Sequence, residues 1–246
     1  MLEESSIFSL QGKKILVLGG SRGIGAELSR GLGELGVEVL ALGRSQSPIA
    51  LFERVFYKSC DAGDLMKLDE VVREWLNGTT LDGVIVSLGV SISSETEPNE
   101  LSRYTKTIQN NLITPFAALD VLRKYMRQAS IILVSSINST MAFSDNPGYV
   151  ASKAGLSGLG RALALDWHTD NHRVNILSLG YFPTDMTKLS YQDAKKHEER
   201  AKKTILNRWG DLSELLGPTV FLLSEASSYI VGQSLVVDGG WSVKGL

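Results

Sequence analysis

An apolar run that leads into a cluster of glycines, and then into a helical pattern, constrains this chain more than any other feature. The run covers residues 14–18, the cluster Gly-Gly-Ser-Arg-Gly-Ile-Gly covers 19–25, and the helical pattern covers 26–35. Glycine lets the backbone turn tightly and approach a ligand, while a helix N-terminus offers unpaired N–H groups and a positive dipole end. Strand, glycine loop and helix in this order predict a dinucleotide pyrophosphate site. The spacing differs from G-x-G-x-x-G, and an ordinary glycine-rich turn is the alternative.

Short apolar runs alternate with amphipathic helical patterns along the rest of the chain. The predicted strands are 14–18, 37–42, 55–59, 83–87, 130–135, 174–179 and 234–237, and the predicted helices include 26–35, 65–76, 101–128 and 148–167. This alternation predicts an α/β fold in which a seven-stranded, mostly parallel sheet carries helices on both faces. No linker or repeat interrupts it. Residues 1–246 are therefore predicted to form one doubly wound Rossmann domain that binds its cofactor at the carboxyl ends of the strands.

Charge and composition exclude several classes of function. The 246 residues carry a net charge of −2 and one cysteine, Cys60. A net charge of −2 does not indicate the basic surface that binds nucleic acid or an anionic membrane, so neither is expected as a partner. One cysteine forms no internal disulfide or cysteine zinc cluster, the three histidines show no ligand grouping, and no metal is predicted. No export signal and no apolar run near ~20 residues is visible, so we expect a cytoplasmic protein.

Tyr149 and Lys153 lie four residues apart at the start of a helical pattern. Residues at this spacing leave the same face of a helix, so the two side chains are expected to be neighbours. A free phenol has a pKa of roughly 10 and is a poor acid or base at neutral pH, but a fixed ammonium nearby favours the phenolate. The pair therefore predicts a general acid/base that moves a proton on and off an alcohol oxygen. The alternative is an ordinary solvated helix face.

Further motifs follow in a fixed order along the chain. They are Gly19–Gly25, Asn111 in Gln-Asn-Asn-Leu, Ser136 in Leu-Val-Ser-Ser, Tyr149-x-x-x-Lys153, Arg173-Val-Asn175 with Gly180 and Thr184, and Val237-Asp-Gly-Gly240. On these residues the chain resembles the short-chain dehydrogenase/reductases over essentially its whole length. The nearest resemblances are the 3-oxoacyl-carrier-protein reductases and the sugar or polyol dehydrogenases. They imply an enzyme that interconverts a ketone and a secondary alcohol by hydride transfer. A cofactor-binding sensor without turnover is the alternative.

The resemblance also implies a role for each matching residue. Tyr149 is expected to be the acid/base, Lys153 to lower its pKa and bind the nicotinamide ribose, Ser136 to bond the substrate oxygen, and Asn111 to hold a water that connects Lys153 to solvent. The residues expected to bind the cofactor are Gly19, Ser21, Arg22, Gly23, Ile24, Gly25, Arg44, Asp61, Gly89, Tyr149, Lys153, Phe182 and Thr184. Each catalytic residue has an ordinary alternative: Ser136 could cap a helix, Asn111 could satisfy a buried backbone group, and Lys153 could be solvated.

The end of the second strand predicts which nicotinamide is used. NAD-specific relatives place an acidic residue there, where a carboxylate bonds the ribose 2′-OH and repels a 2′-phosphate. Here Gly43 occupies that position and Arg44 follows, with Arg22 in the glycine loop as a second cation. Two guanidinium groups suit a phosphate, so NADP(H) is the predicted cofactor. Solvated surface arginines are the alternative.

Two departures from the family pattern concern neighbouring strands. Leu18 stands where the family usually has Thr, and Val86-Ser-Leu-Gly89 stands where it usually has Asn-Asn-Ala-Gly. In the family the Thr hydroxyl bonds the backbone of that second turn. Replacing both polar partners by apolar groups can be nearly neutral, because neither is left unpaired. We therefore expect a local apolar repacking that keeps the cofactor site intact.

The segment 185–207 is expected to form a lid over the substrate, and it carries a run of charges that is usually only a solvated face. The substrate is predicted to be a small carbonyl or alcohol compound, either free or bound to a carrier. A carrier would favour a basic surface, which Arg123, Lys124 and Arg127 could provide, but Asp170 has the wrong sign. Several small residues on the Tyr149 helix suggest close approach by another element. A homotetramer is predicted, with a homodimer as the alternative.

Overall fold

Seven strands form one sheet in the order β3-β2-β1-β4-β5-β6-β7 in the computed structural model, which describes residues 7–45 and 52–244. The strands are β1 Lys14–Leu18, β2 Glu38–Gly43, β3 Val55–Ser59, β4 Leu81–Val86, β5 Met126–Ser136, β6 Arg173–Leu179 and β7 Ser234–Val237. Every neighbouring pair is parallel. The predicted α/β architecture is confirmed.

Helices cover both faces of the sheet. They are α1 Gly23–Glu34, α2 Leu65–Leu76, α3 Glu100–Ile108, α4 Thr114–Leu122, α5 Pro147–Asp166, α6 Lys188–Gln192, α7 Ala194–Lys203 and α8 Leu216–Leu223, with a π-helical turn at Gln109–Ile113 between α3 and α4. None of the helices in the described ranges is both long and apolar enough to cross a bilayer.

Two apolar cores lie on opposite faces of the sheet. In β1, Leu16 and Leu18 pack into one core, whereas Ile15 and Val17 pack into the other. Successive residues of a strand point to opposite faces, so a strand buried on both sides is apolar at every position. This is why an unbroken apolar run, and not an alternating one, marks β1 in the sequence.

The single helix predicted over residues 101–128 is wrong over its last six residues, 123–128. The helical segment ends at Leu122, a 3-10 turn follows at Arg123–Tyr125, and β5 begins at Met126. Met126 pairs with Leu81 of β4, so the chain is already in the sheet where helical periodicity predicted a helix. Tertiary strand pairing outweighs local helix propensity here.

The sequence places Tyr149 in the first turn of α5. Pro147 occupies the first turn of the helix, and the Asn146 side chain accepts a hydrogen bond from the Tyr149 N–H at 3.2 Å. Asn and Pro are favoured at these positions because they satisfy or remove otherwise unpaired N–H groups. Gly160 further along lets α5 lie close to the sheet, since a Cβ there would come within 2.9 Å of Ile176.

Candidate active site

A cavity of about 680 Å³ lies at the carboxyl edge of the sheet, where strand order reverses between β1 and β4. This is the position at which doubly wound sheets bind their ligands. The predicted cofactor-binding residues in its lining are Gly19, Ser21, Arg22, Gly23, Ile24, Arg44, Asp61, Gly89, Tyr149, Lys153 and Thr184. The fold therefore gathers residues that are up to 165 positions apart in the sequence (19 to 184) around one space.

The glycine loop has the tight geometry that a pyrophosphate site needs. Gly19 has a φ of +84°, and a Cβ at this position would come within 2.7 Å of the Ser87 carbonyl oxygen. Gly25 lies outside the lining and packs against the Gly19 carbonyl, where a Cβ would not fit. No side chain caps α1 at Arg22, so the first N–H groups of the helix are available to an anion. These features fit a dinucleotide.

The end of β2 leaves no room for an acidic side chain. A Cβ on Gly43 would come within 2.6 Å of the Ser21 Cβ, and the Ser21 hydroxyl lies 3.3 Å from that of Ser45. The Tyr57 hydroxyl lies within hydrogen-bond distance of the carbonyl oxygens of Gly43 (3.0 Å) and Ser45. Tyr57 therefore holds the turn that presents Arg44. No local sequence signal marks Tyr57 and Ser45, because their contribution depends on the pairing of β2 with β3.

The two predicted guanidinium groups differ in their surroundings. Arg44 is exposed at the rim of the cavity. Arg22 lies 3.7 Å from the carboxylate of Asp185 across the same rim, with both side chains 64% exposed. An ion pair so exposed contributes little free energy, so Arg22 can exchange Asp185 for another anion. Asp61 also lines the cavity, and its carboxylate accepts the Gly63 N–H at 2.9 Å, as an ordinary turn aspartate does.

Tyr149 lines the cavity, and Ser136 lies beside it on a different element. Ser136 ends β5, and its hydroxyl accepts the Asn138 N–H at 3.2 Å, which fixes the side chain. Burial raises the pKa of Tyr149 to about 12, while a hydrogen bond with the Ser136 hydroxyl acts in the opposite direction. Tyr149 is partly exposed and lines the cavity. At neutral pH its phenol is therefore protonated and available as a donor.

Lys153 is buried, and its ammonium donates a hydrogen bond to the Val134 carbonyl at 2.9 Å. Its Nζ lies 5.8 Å from the centre of the Tyr149 ring. Burial lowers the pKa of Lys153 to about 8, since the charged form is the one that loses solvation. The spacing of the two residues predicts only the attraction between the phenolate and the ammonium. The structure shows that burial raises the pKa of Tyr149 in this pocket and lowers that of Lys153.

Asn111 lies in the π-helical turn and is fully buried. Its Oδ1 accepts the Val90 N–H at 2.8 Å, and its Nδ2 donates to the Val90 carbonyl at 2.9 Å and to the Ser152 hydroxyl at 3.0 Å. Both amide hydrogens are therefore used by protein partners. The alternative considered from the sequence, that Asn111 satisfies a buried backbone group, describes these contacts, and the water-holding role stays a prediction.

Phe182 and Thr184 follow β6 but differ in position. The Phe182 ring is buried against Gly210, outside the cavity, so only its backbone could take part in binding. Thr184 lines the cavity close to Gly23, and its side chain lies 3.2 Å from the hydroxyl of Thr187.

At the first departure from the family pattern, Leu18 is fully buried in the apolar core. Its carbonyl accepts the Ser87 N–H at 2.8 Å. A backbone bond therefore joins the ends of β1 and β4.

Comparison with known proteins gives the same answer as the geometry. A family model described as enoyl-(acyl carrier protein) reductase matches residues 19–242. Gluconate 5-dehydrogenase of Gluconobacter oxydans is 30% identical over 258 residues, which cover 98% of this chain and 99% of that protein. The chain belongs to the short-chain dehydrogenase/reductase family. The resemblance stated from the motifs is confirmed.

Further relatives in the family show the same full-length match. The 2-dehydro-3-deoxy-D-gluconate 5-dehydrogenase of Pseudoalteromonas atlantica is 30% identical over 98% of this chain and 99% of its own length. The crystal structure of a gluconate 5-dehydrogenase from Burkholderia cenocepacia, in complex with NADP and tartrate, superposes with a TM-score of 0.86 at 25% identity, covering 98% of this chain and 99% of that one. Like these relatives, this short-chain dehydrogenase/reductase is an oxidoreductase that acts on hydroxyl or keto groups.

Proposed function

We propose that this short-chain dehydrogenase/reductase uses NADP(H) to interconvert a small, polyhydroxylated ketone and its secondary alcohol, with Tyr149 as the general acid/base. The observation that carries the proposal is the meeting of three groups: the Tyr149 phenol and the Lys153 ammonium in the lining of the cavity, and the Ser136 hydroxyl beside the phenol. The same cavity is lined by the glycine loop, which has the geometry for a dinucleotide.

The proton chemistry follows from the state of these side chains. NADP(H), when bound, supplies the hydride for reduction or accepts it in the reverse direction. Tyr149 is protonated at neutral pH, so it donates its proton to the carbonyl oxygen as negative charge develops there. Ser136, held by the Asn138 N–H, bonds the same oxygen and stabilises that charge. Lys153, fixed by the Val134 carbonyl, places a positive charge beside the phenolate that remains.

The choice of NADP(H) over NAD(H) is supported by the end of β2. Gly43 has no carboxylate for a ribose 2′-OH, and Ser21 fills the space that such a side chain would need. Arg44 and the paired hydroxyls of Ser21 and Ser45 offer cationic and neutral donors for a 2′-phosphate instead. The Burkholderia gluconate 5-dehydrogenase of similar structure was crystallised with NADP.

A free small substrate is favoured over a carrier-bound one by two ion pairs. The Arg123 guanidinium bonds the Asp170 carboxylate at 2.6 Å, and Lys124 bonds Asp69 at 2.6 Å. Two of the three cations that could have formed a basic docking surface are therefore neutralised. Relatives along the full length act on gluconate and 2-dehydro-3-deoxy-D-gluconate, which are small polyhydroxy acids.

A homotetramer remains part of the proposal, supported by two sets of exposed apolar side chains. One set lies on α3, the π-helical turn, α4 and α5, and the other lies near the C-terminus: Leu101, Tyr104, Ile113, Phe116 and Leu165; Tyr229, Val231, Val236 and Val243. Apolar side chains grouped in this way mark association surfaces. Light scattering is expected to give four times the mass of the chain, and a monomer would contradict both the tetramer and the dimer.

The decisive experiment measures binding and turnover separately. NADPH and NADH are titrated by fluorescence, and a panel of polyhydroxy ketones, acids and acyl thioesters is assayed with each coenzyme. We expect NADPH to bind at least tenfold tighter than NADH, and Tyr149→Phe to lower kcat by 10²- to 10⁴-fold with NADPH binding unchanged. Tyr125→Phe, which removes a phenol that bonds Asp69 outside the cavity lining, is the matched control. Binding without turnover of any compound would favour the sensor alternative.

A further inference from the structure

The charged helix α7 has a partly buried cation, Arg200, that rests on an aromatic ring. The Arg200 guanidinium carbon lies 4.9 Å from the centre of the Tyr181 ring, and Arg200 is partly buried. Lys202, by contrast, is exposed and forms an ion pair with Glu198 on the same helix at 2.6 Å. The charges of α7 therefore do not form one uniform solvated face. Lys202 lies on the exposed side of the helix, and Arg200 lies on the side that faces the Tyr181 ring.

Tyr181, on which Arg200 rests, follows the strand that pairs with the one carrying Ser136. It follows β6 by two residues, and Leu179 at the end of β6 pairs with Ser136 at the end of β5. Trp241 stacks on the Tyr181 ring at 4.9 Å, so the ring is held in place. Arg200 thus rests on an aromatic ring of the segment that leaves the sheet next to Ser136.

Arg200 has no acidic partner in the part of the chain that the structure describes, although other arginines do. Arg208 bonds Glu214 at 2.7 Å and Arg123 bonds Asp170 at 2.6 Å, whereas no carboxylate of residues 7–45 or 52–244 lies within 4 Å of the Arg200 nitrogens. A guanidinium resting on an aromatic face keeps its planar N–H fork available to a carboxylate. Partial burial strengthens such a bond relative to a fully solvated one.

We propose that Arg200 binds the carboxylate of the substrate, and that the substrate is a small hydroxy acid whose reacting carbon lies at Tyr149. The proposal rests on the function proposed above and narrows the substrate from polyhydroxy compounds in general to their acids. It also gives segment 185–207 a chemical role, because the residue that recognises the acid belongs to the predicted lid. The other reading is that Arg200 only fixes α7 to Tyr181.

Two probes of equal carbon number separate these readings. Tartrate carries carboxylates at both ends of four carbons, and threitol is the neutral four-carbon polyol. Each is titrated by calorimetry into the full-length protein, with and without saturating NADP⁺. We expect the unchanged protein to bind tartrate at least tenfold tighter than threitol. Arg200→Gln is expected to abolish that preference, and Arg200→Lys to keep part of it.

Lys203→Gln is the matched control, because Lys203 lies one turn from Arg200 and its ammonium rests over the Trp241 ring at 5.4 Å. It is expected to leave the tartrate preference within twofold of the original. The proposal is overturned if the unchanged protein shows no preference, or if Arg200→Gln weakens tartrate and threitol equally. NADPH binding, measured on the same variants, identifies a failure of the proposed function separately from a failure of the acid subsite.

Discussion

Asn111 bonds both the N–H and the carbonyl of Val90, at 2.8 and 2.9 Å, so one side chain replaces a strand partner for the segment that follows β4. That segment carries Gly89, which lines the cavity and lies next to the Lys153 ammonium. The π-helical turn places the fully buried amide at this position. The cavity wall beside Lys153 therefore depends on a carboxamide and not on a carboxylate or an alkyl group.

Asn111→Asp tests this contact. The carboxylate keeps the shape of the amide but cannot donate to the Val90 carbonyl, and it places a charge in a fully buried site. We expect a loss of about 2–4 kcal/mol of unfolding free energy, measured by urea denaturation. Asn110→Asp is the control, since the Asn110 amide bonds only the Lys106 carbonyl at an exposed site, and a change below about 0.5 kcal/mol is expected there. Equal losses would contradict the argument.

Lys153→Met is expected to inactivate the protein but stabilise its fold. Burial lowers the pKa of Lys153 to about 8 from an unfolded value near 10.5. The unfolded state therefore binds more protons between these two pH values, so the cost of burying the ammonium is fully present below pH 8 and disappears as the pH rises towards 10.5. We expect the free energy of unfolding of Lys153→Met to exceed that of the original protein by about 1–3 kcal/mol at pH 7, and the difference to shrink at higher pH. Chemical denaturation from pH 7 to 10 measures it, with the exposed Lys195→Met as the control. A pH-independent difference would contradict the assignment.

Gly43→Asp alone is expected to fail as a switch of cofactor preference. The new Cβ would come within 2.6 Å of the Ser21 Cβ, so the carboxylate cannot reach the ribose without displacing the glycine loop. Gly43→Asp with Ser21→Gly removes that contact. We expect the single variant to bind both coenzymes weakly, and the double variant to bind NADH tighter than NADPH, because the carboxylate repels a 2′-phosphate. Fluorescence titration with NADH and NADPH measures the affinities of the original protein, both single variants and the double variant. A Gly43→Asp single variant that already prefers NADH would contradict the steric argument.

Leu18→Thr, which restores the usual family residue, is expected to destabilise the fold. Leu18 is fully buried between Leu42 and Val86 in the sheet register, so the change removes apolar contacts and buries a hydroxyl. We expect urea denaturation to show a loss of about 2–4 kcal/mol in unfolding free energy. The affinity for NADPH is expected to stay within threefold of the original, because the Leu18 carbonyl still bonds the Ser87 N–H. Leu18→Met, which conserves volume, is expected to cost under about 1.5 kcal/mol. A threonine variant as stable as the original would mean that its hydroxyl finds a partner.

Helix boundaries show where local pattern stops being sufficient. The helical pattern predicts α2 over residues 65–76, and the helix occurs at Leu65–Leu76. Both ends are set by adjacent residues, since Asp64 caps the N-terminus and Asn77 ends the helix in a left-handed conformation. The helix predicted over 101–128 ends at Leu122 instead. Strand pairing between Met126 and Leu81, residues 45 positions apart (126 − 81), sets that end, and no local signal reports such a contact.

The pKa values of Tyr149 and Lys153 are a second property that the local sequence pattern does not predict. The spacing of Tyr149 and Lys153 predicted their proximity, which the structure shows. Their pKa values shift through burial, which depends on how completely the other elements close around them. Tyr57 and Arg200 belong with this set, since each acquires its role only from a neighbour distant in sequence.

The sequence by itself determined the order of strands and helices, the glycine loop, and the residue types that converge at the carboxyl edge of the sheet. These properties depend on periodicity and on short-range backbone preferences, which a single segment carries. Only the tertiary structure decided the solvation of Tyr149 and Lys153, the partner of Asn111, and which cation of α7 faces Tyr181. Burial and long-range contact are properties of several segments packed together, so no one segment contains them.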